Sequence, residues 1–234
     1  MEPFLSLKNI TKSFGKRKVL DSLSLDLHQG EIIGLIGKSG CGKSTLIKIL
    51  VGYYTPDSGR MIFEKKDITS KFSKVKHIVG YTTQENSFYE KLTVYENMSY
   101  YANLYGIPAD QRKDRIKELL EAVRLHGSKN SLAGDISGGM KRRLDFAISL
   151  LHRPKLVILD EPTTGLDPLL VENFWKIVTT IAKEQKITVL VSSHLLSEVK
   201  QYCNRAAVMS NGKISTLHIT KDTDLEKEFK ELTK

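Results

Sequence analysis

Cysteine is scarce in this chain: Cys41 and Cys203 are the only two among 234 residues, far apart and in no metal-ligand spacing. That argues against a disulfide framework and gives no indication of a zinc site. Also missing is any window approaching the ~20 consecutive apolar residues of a membrane span. The opening MEPFLSLKNI carries neither the basic nor the apolar region of a signal peptide, so a cytoplasmic location is expected. No internal repeat or low-complexity segment stands out. What is there, 40% apolar and 27% charged residues, suffices to bury one sizeable core, as one domain or a domain with an inserted lobe. The formal charge of +9 suits an anionic partner such as a membrane surface or nucleic acid, although a lysine excess is more often a solvated surface.

The pattern along the chain changes twice. FLSLKNI and LSLDLH alternate as half-buried strands do, and EIIGLIG reads as a short buried strand. Over 94–152 the spacing turns helical, in ENMSYYANLYG, DQRKDRIKELLEAV and MKRRLDFAISLLH, the last with Leu144, Ala147, Ile148 and Leu151 on one face. Strand character returns in KLVILD, ITVLVSS and AAVMS. An amphipathic run with Phe174, Ile177, Val178 and Ile181 and a further helix intervene, and an Asn211-Gly212 turn follows. Alternating strands and helices imply an α/β fold with a mainly parallel sheet, and the lysine- and glutamate-rich tail reads as a terminal helix.

Between strand and helix stands GLIGKSGCGKSTLIKIL, with four glycines. Gly37, Gly42, Lys43 and Ser44 fit G-x-x-x-x-G-K-[ST], with Lys38, Ser39, Gly40 and Cys41 filling the loop and Thr45 following. Glycines let the backbone curl its N–H groups inward, and a helix N-terminus favours an anion, so the loop is a phosphate cradle. Lys43 suits the β- and γ-phosphates and Ser44 suits Mg²⁺. Cys41 sits where backbone N–H groups can lower a thiol pKa. GTPases, small-molecule kinases and ATPases all share such a loop. KLVILDEPTTGLDP narrows the choice: Asp160 and Glu161 end an apolar strand, Asp160 suited to Mg²⁺ through water and Glu161 to a general base. No Asn-Lys-x-Asp guanine signature occurs.

The motif order resembles that of the ATP-binding cassette (ABC) ATPases over roughly 4–214. The discriminating piece is ISGGMKRR: Ser137, Gly138 and Gly139 open a helix and match the family's signature motif. Alone, that serine is as well read as an ordinary helix cap. The resemblance implies a P-loop NTPase core with an N-terminal antiparallel β subdomain and an inserted α-helical subdomain. It divides the single nucleotide-binding domain into core (1–85 and 155–220), helical signature subdomain (86–154) and C-terminal helix (221–234). It further implies that Gln84 touches Mg²⁺ and water at the joint with the insert, that His194 contacts the γ-phosphate, that Phe14 stacks on adenine, and that Asp167 lies in the loop crossing to a partner subunit. Taken singly, Gln84, His194 and Phe14 are ordinary loop or core residues. Ile136 and Met140 replace the commonest leucine and glutamine of the signature, and Phe14 the more frequent tyrosine.

By the same resemblance, two cassettes, identical or different, close head to tail around ATP and Mg²⁺, each ATP held between one chain's phosphate loop and the other's signature. The partners expected are integral membrane permease subunits at the cytoplasmic face. Nucleic acid is not expected. TTQENSFYEKLTVYENMSYYANLYGI with SGGMKRRL looks most like cassettes that export drugs, lipids or polysaccharides. The alternatives are a cassette acting on nucleic acid or ribosomes and, less well matched, a small-molecule kinase.

Overall fold

The computed structural model describes residues 2–234, for 72 and 73 the backbone only. Its smaller sheet is antiparallel: β1 (Leu5–Phe14) lies between β2 (Arg17–Leu27) and β4 (Ser58–Phe63), with the two-residue β5 (Lys66–Asp67) at the edge. Leu7 and Ile10 are both buried although three residues apart, as are Leu20 and Leu23. A regular strand would send one of each pair outward. Positive φ at Asn9 (53°) and Ser22 (50°) resets the phase, and the β1–β2 register shifts between Leu7 and Ile10, the mark of a β-bulge.

The larger sheet has the order β10-β9-β3-β8-β7-β6. Five strands are parallel: β3 (Ile32–Gly37), β6 (Val79–Thr82), β7 (Leu156–Asp160), β8 (Thr188–Ser192) and β9 (Arg205–Ser210). The last, β10 (Lys213–His218), turns back antiparallel through Asn211 and Gly212, both at positive φ (50° and 74°) as a two-residue hairpin turn requires. Alternate residues feed opposite cores. Ile33, Leu35, Ile158, Leu190 and Met209 pack with the small sheet and α1 (Lys43–Leu50). Ile32, Ile36, Val157, Leu159 and Val191 pack against the helices of the other face. A parallel sheet covered on both faces reads as continuous apolar runs, which is why KLVILD and ITVLVSS stand out in the sequence.

A short α2 (Phe72–Ile78) precedes β6, and the connection from β6 to its parallel neighbour β7 holds the helical insert: α3 (Val94–Leu104), α4 (Ala109–Ala122) and α5 (Gly138–Leu150). A capping box between Thr93 and Glu96 starts α3. Leu144, Ala147, Ile148 and Leu151 are buried, as their spacing predicts. The chain then runs through α6 (Pro168–Gln185), α7 (Leu196–Tyr202) and α8 (Leu225–Leu232). The predicted fold class is the one observed. Sequence patterning missed β4, β5, β6, β10 and α2.

The insert grips the loop after β6. Asp145 of α5, 2% exposed, accepts from Ser87 N (3.1 Å) and Ser87 Oγ (2.7 Å), and Asn97 of α3 accepts from Tyr89 N at 2.8 Å. Burial pushes the Asp145 carboxyl above the usual range.

His152, just past α5, seals the seam on the other side. Its ring stacks on Tyr105 at 4.2 Å, and Nε2 donates to the Val79 carbonyl at 3.1 Å while Nδ1 is buried without a partner among the described residues. Burial pushes its pKa down to about 4. The unfolded chain therefore takes up this proton first as the pH falls. The neutral ring's stabilisation is complete above about pH 6.5 and drains away towards pH 4, a loss of about 2 to 3 kcal/mol by pH 4.5. Denaturant titrations at pH 7.5 and 4.5 should show that loss in the native chain. It should be largely gone in His152→Phe, which keeps the stack but does not titrate.

Candidate functional site

The parallel register brings several predicted residues to one edge of the sheet. Leu35 of β3 and Asp160 of β7 both pair with Ser192 of β8, so the loop after Gly37, the Asp160–Glu161 pair and His194 all follow the carboxyl ends of adjacent strands. That end of an open α/β sheet is where ligands bind.

The loop needs its glycines. A Cβ on Gly37 would lie 2.6 Å from both Cys41 Sγ and the Met209 carbonyl oxygen, and Gly42, at φ 111°, would place one 2.9 Å from Leu20 Cδ2. Gly42 caps α1 without a side-chain bond, and the first turn holds no acid, so the first helical N–H groups remain available to an anion. Lys43 folds back over the loop, Nζ donating to the carbonyls of Gly37 (2.7 Å) and Lys38 (3.4 Å). A triphosphate is a stronger acceptor for that ammonium, and the cradle fits one. Lys38 turns away, donating to the Thr233 carbonyl beside α8 at 2.9 Å. Cys41 is half-buried with its sulfur towards Gly37 and the lower core. Ser39 and Gly40 line a cavity of about 520 Å³, and Ser44 and Thr45 lie exposed and half-buried on the first turn.

Asp160 accepts from Ser192 Oγ and from Tyr81 OH (3.3 Å). Burial, then the Asp160 charge, pushes the Tyr81 phenol up to about 12. Glu161 has φ 48°, unusual for a side chain of its size. Its N–H is held by Ser192, 3.0 Å from Oγ and 3.2 Å from the carbonyl. Its carboxylate lies 3.6 Å from His194 Nδ1 and accepts from Thr164 Oγ1 at 3.4 Å. At 25% and 57% exposure, the Glu161 and His194 side chains face solvent where a water and a phosphate can enter. Gln84 is exposed two residues beyond Thr82, which pairs with Leu159, so it belongs to the same edge. Exposed Ser44 and the Asp160 carboxylate are hard oxygen donors at that edge. With few protein ligands they suit a Mg²⁺ that keeps most of its water, and no cluster of three metal-binding side chains occurs among the described residues.

Phe14 ends β1 opposite Arg17 and is 44% exposed, its edge against Tyr54 at 5.3 Å. Arg17 Nη2 reaches the Gly40 carbonyl at 3.5 Å, which sets this hairpin beside the phosphate loop. The core reading of Phe14 is thereby removed, and a face is left for a ring to stack on.

Ser137, Gly138 and Gly139 form a separate group. Ser137 caps α5, its Oγ accepting from Met140 N at 3.4 Å. A Cβ on Gly139 would come within 3.1 Å of Leu170 on α6. Asp167 caps that helix, accepting from Leu170 N at 3.0 Å. The signature residues and Asp167 are thus neighbours, and no hydrogen bond among the described residues joins residues 137–139 to the phosphate loop. Sequence reasoning missed Ser192, Tyr81, Thr163, Trp175 and Glu198. The only local signal was Ser192-Ser193, two polar residues ending an apolar strand.

The ABC transporter family profile matches residues 20–164. The uncharacterized ABC transporter ATP-binding protein YdbJ of Bacillus subtilis is 37% identical across 95% of this chain and 71% of its own length. The bacitracin transport ATP-binding protein BcrA of Bacillus licheniformis is 36% identical across 92% and 69%. Among solved structures, cbiO1 of Clostridium perfringens, part of the ABC transporter complex cbiONQ, has a TM-score of 0.88 at 27% identity over 99% of this chain and 92% of that one. The phosphate cradle, the paired carboxylates and the helical insert are accordingly those of a member of the ABC transporter ATP-binding family, an ATPase by descent as well as by site chemistry.

Proposed function

We propose that this chain sits at the cytoplasmic face of a membrane and powers export of a drug, lipid or polysaccharide through separate membrane-spanning subunits. The observation that carries the proposal is a groove of about 880 Å³ beside the Gln84 loop, lined by Tyr53, Val75, Tyr81, Thr83, Leu104 and Tyr105. Tyr53 and Leu104, 71% and 67% exposed, stand open there beside Lys48, Lys76 and His77, apolar anchors with a basic rim for a docking helix. No helix among the described residues is long and apolar enough to cross a membrane, so the span is assigned to the partner. Names of relatives support export: one is a Nod factor export protein and another a linearmycin resistance protein, and BcrA is named for bacitracin transport without a direction. The charge of +9 permits a nucleic-acid partner, but the relatives' names point to transport.

At the site, the backbone from Gly37 to Gly42 and the Lys43 ammonium bind the β- and γ-phosphates, with Lys38 to Cys41 and Thr45 completing the cradle. Phe14 stacks on adenine. Ser44, Asp160 through water, and Gln84 would hold Mg²⁺, which when bound would supply positive charge against that building on the phosphates. Glu161 takes the proton of the attacking water, whose oxygen bonds to the γ-phosphorus as the bond to the ADP oxygen breaks. His194 contacts the γ-phosphate and holds the water in line. Ser137, Gly138 and Gly139 reach the γ-phosphate bound by another cassette, beside the crossing loop of Asp167. The groove meets Tyr81 and Thr83 just before Gln84, so a helix seated there bears on the loop that carries Gln84.

Leu104→Glu tests the docking. It should abolish capture of the membrane-spanning subunit that the tagged native chain draws from detergent-solubilised host membranes, while leaving ATP hydrolysis by the isolated cassette within about twofold, because an exposed apolar residue contributes little to folding. Co-purification at the native level would remove the groove from the interface.

A further inference from the structure

A buried carboxylate outside the phosphate site joins the segments that carry it. Glu198 of α7 is 8% exposed. Its two oxygens accept from Thr163 Oγ1 at 3.0 and 2.8 Å, and Oε2 accepts also from the Trp175 indole N–H at 3.1 Å. Neither donor is charged, so the carboxylate is desolvated without an ionic partner here, an arrangement that an apolar side chain of similar volume would relieve. What an apolar side chain lacks is the capacity to accept from two segments at once. Thr163 lies two residues after Glu161; Trp175 is on the helix that Asp167 caps; Glu198 lies four residues after His194. Trp175 also stacks on Tyr202 of α7 at 4.8 Å, with the rings 9° from parallel. Three loop-bearing segments therefore meet at one side chain.

We propose that Glu198 is a positioning residue for ATP hydrolysis. Through Thr163 and Trp175 it fixes the loop of Glu161 against the loop of His194, and Trp175, the single tryptophan of the chain, reports the state of this junction. The inference rests on the roles given above to Glu161 and His194. Those side chains stand 3.6 Å apart, close enough to act on one water, so a displacement of either loop by about 1 Å is enough to cost up to 10²-fold in rate.

Glu198→Met keeps the volume and removes both acceptor oxygens, so Thr163 and Trp175 lose the partner they share. Turnover should fall about 10- to 100-fold, with the Kd for MgADP within twofold. Thr163→Val should reproduce the fall, and Thr163→Ser, which keeps the hydroxyl, should restore most of it. Trp175 emission should shift when MgATP binds the native chain and shift much less in Glu198→Met. If Glu198→Met does not fold, the Thr163 pair decides alone. Turnover within threefold of native in Thr163→Val, or a fall matched by an equal loss of MgADP affinity, overturns the inference. Glu161→Gln is assayed beside them: native turnover there overturns the base assignment and this inference together, whereas a dead Glu161→Gln with an active Thr163→Val and Glu198→Met overturns this inference only.

Discussion

Glu161→Gln should lower ATP turnover by about 10² to 10⁴, the usual worth of a positioned base, and leave a cassette that binds ATP and stays closed on it. The substitution is conservative in shape. The unusual backbone at Glu161 is held through its N–H by Ser192, and that bond does not depend on the side chain. What changes is the capacity to accept a proton. In units of barrier height the loss is about 3 to 5 kcal/mol, far more than the fold has at stake in a side chain bonded only to Thr164 at 3.4 Å. Binding should persist because Lys43 and the glycine loop belong to a different strand end. Sizing chromatography in MgATP should therefore show a dimer that the native chain, still hydrolysing, does not accumulate. A native hydrolysis rate would take Glu161 out of the mechanism, and a dead variant that stays monomeric in MgATP would separate the chemistry from the clamp.

How much of this site can be read without coordinates depends on the distance over which each residue acts. Gly37, Gly42 and Lys43 are legible because the demand on them is local: a curled loop needs residues without a Cβ, and contacts of 2.6 to 2.9 Å to any added Cβ show the demand is real. Asp160 and Glu161 are legible because acids rarely end so apolar a strand unpaired. Ser192 and Tyr81 act on them across 32 and 79 positions of chain, and no local pattern announces such a partner. The four residues of β6 are too short for periodicity to show, and the bulges at Asn9 and Ser22 break the alternation that would otherwise mark β1 and β2 throughout. Ser137 and Asp167 are ambiguous for another reason. Each side chain caps a helix in its own chain, so the sequence cue for a cap and for a contact with a second cassette is the same.

A functional test between two chains resolves that ambiguity. Lys43→Ala removes the ammonium from the cradle, and Ser137→Arg fills the exposed N-terminus of α5 with a long cation, so each variant alone should be inactive. If every site combines one chain's Lys43 with the other chain's Ser137, a mixed dimer contains one site with both lesions and one site with neither. Mixing should then restore partial ATPase activity, rising more steeply than linearly with concentration while dimerisation is limiting. The geometry favours this outcome over a site completed within one chain. A Cβ added at Gly138 would lie 3.8 Å from Leu166 and one at Gly139 3.1 Å from Leu170 of α6, which sets this turn beside Asp167, while among the described residues Lys43 Nζ bonds only to its own loop. The arginine is chosen for a wall that is open: Ser137 and Gly138 are exposed, so the substitution obstructs the approach of a phosphate without displacing the core. Subunit exchange is verified by tagging the two variants differently. A mixture no more active than its components, after exchange and with closure on ATP still measurable, would mean that the two sites turn over only together; absence of closure as well would mean that Ser137 and Lys43 do not share a nucleotide.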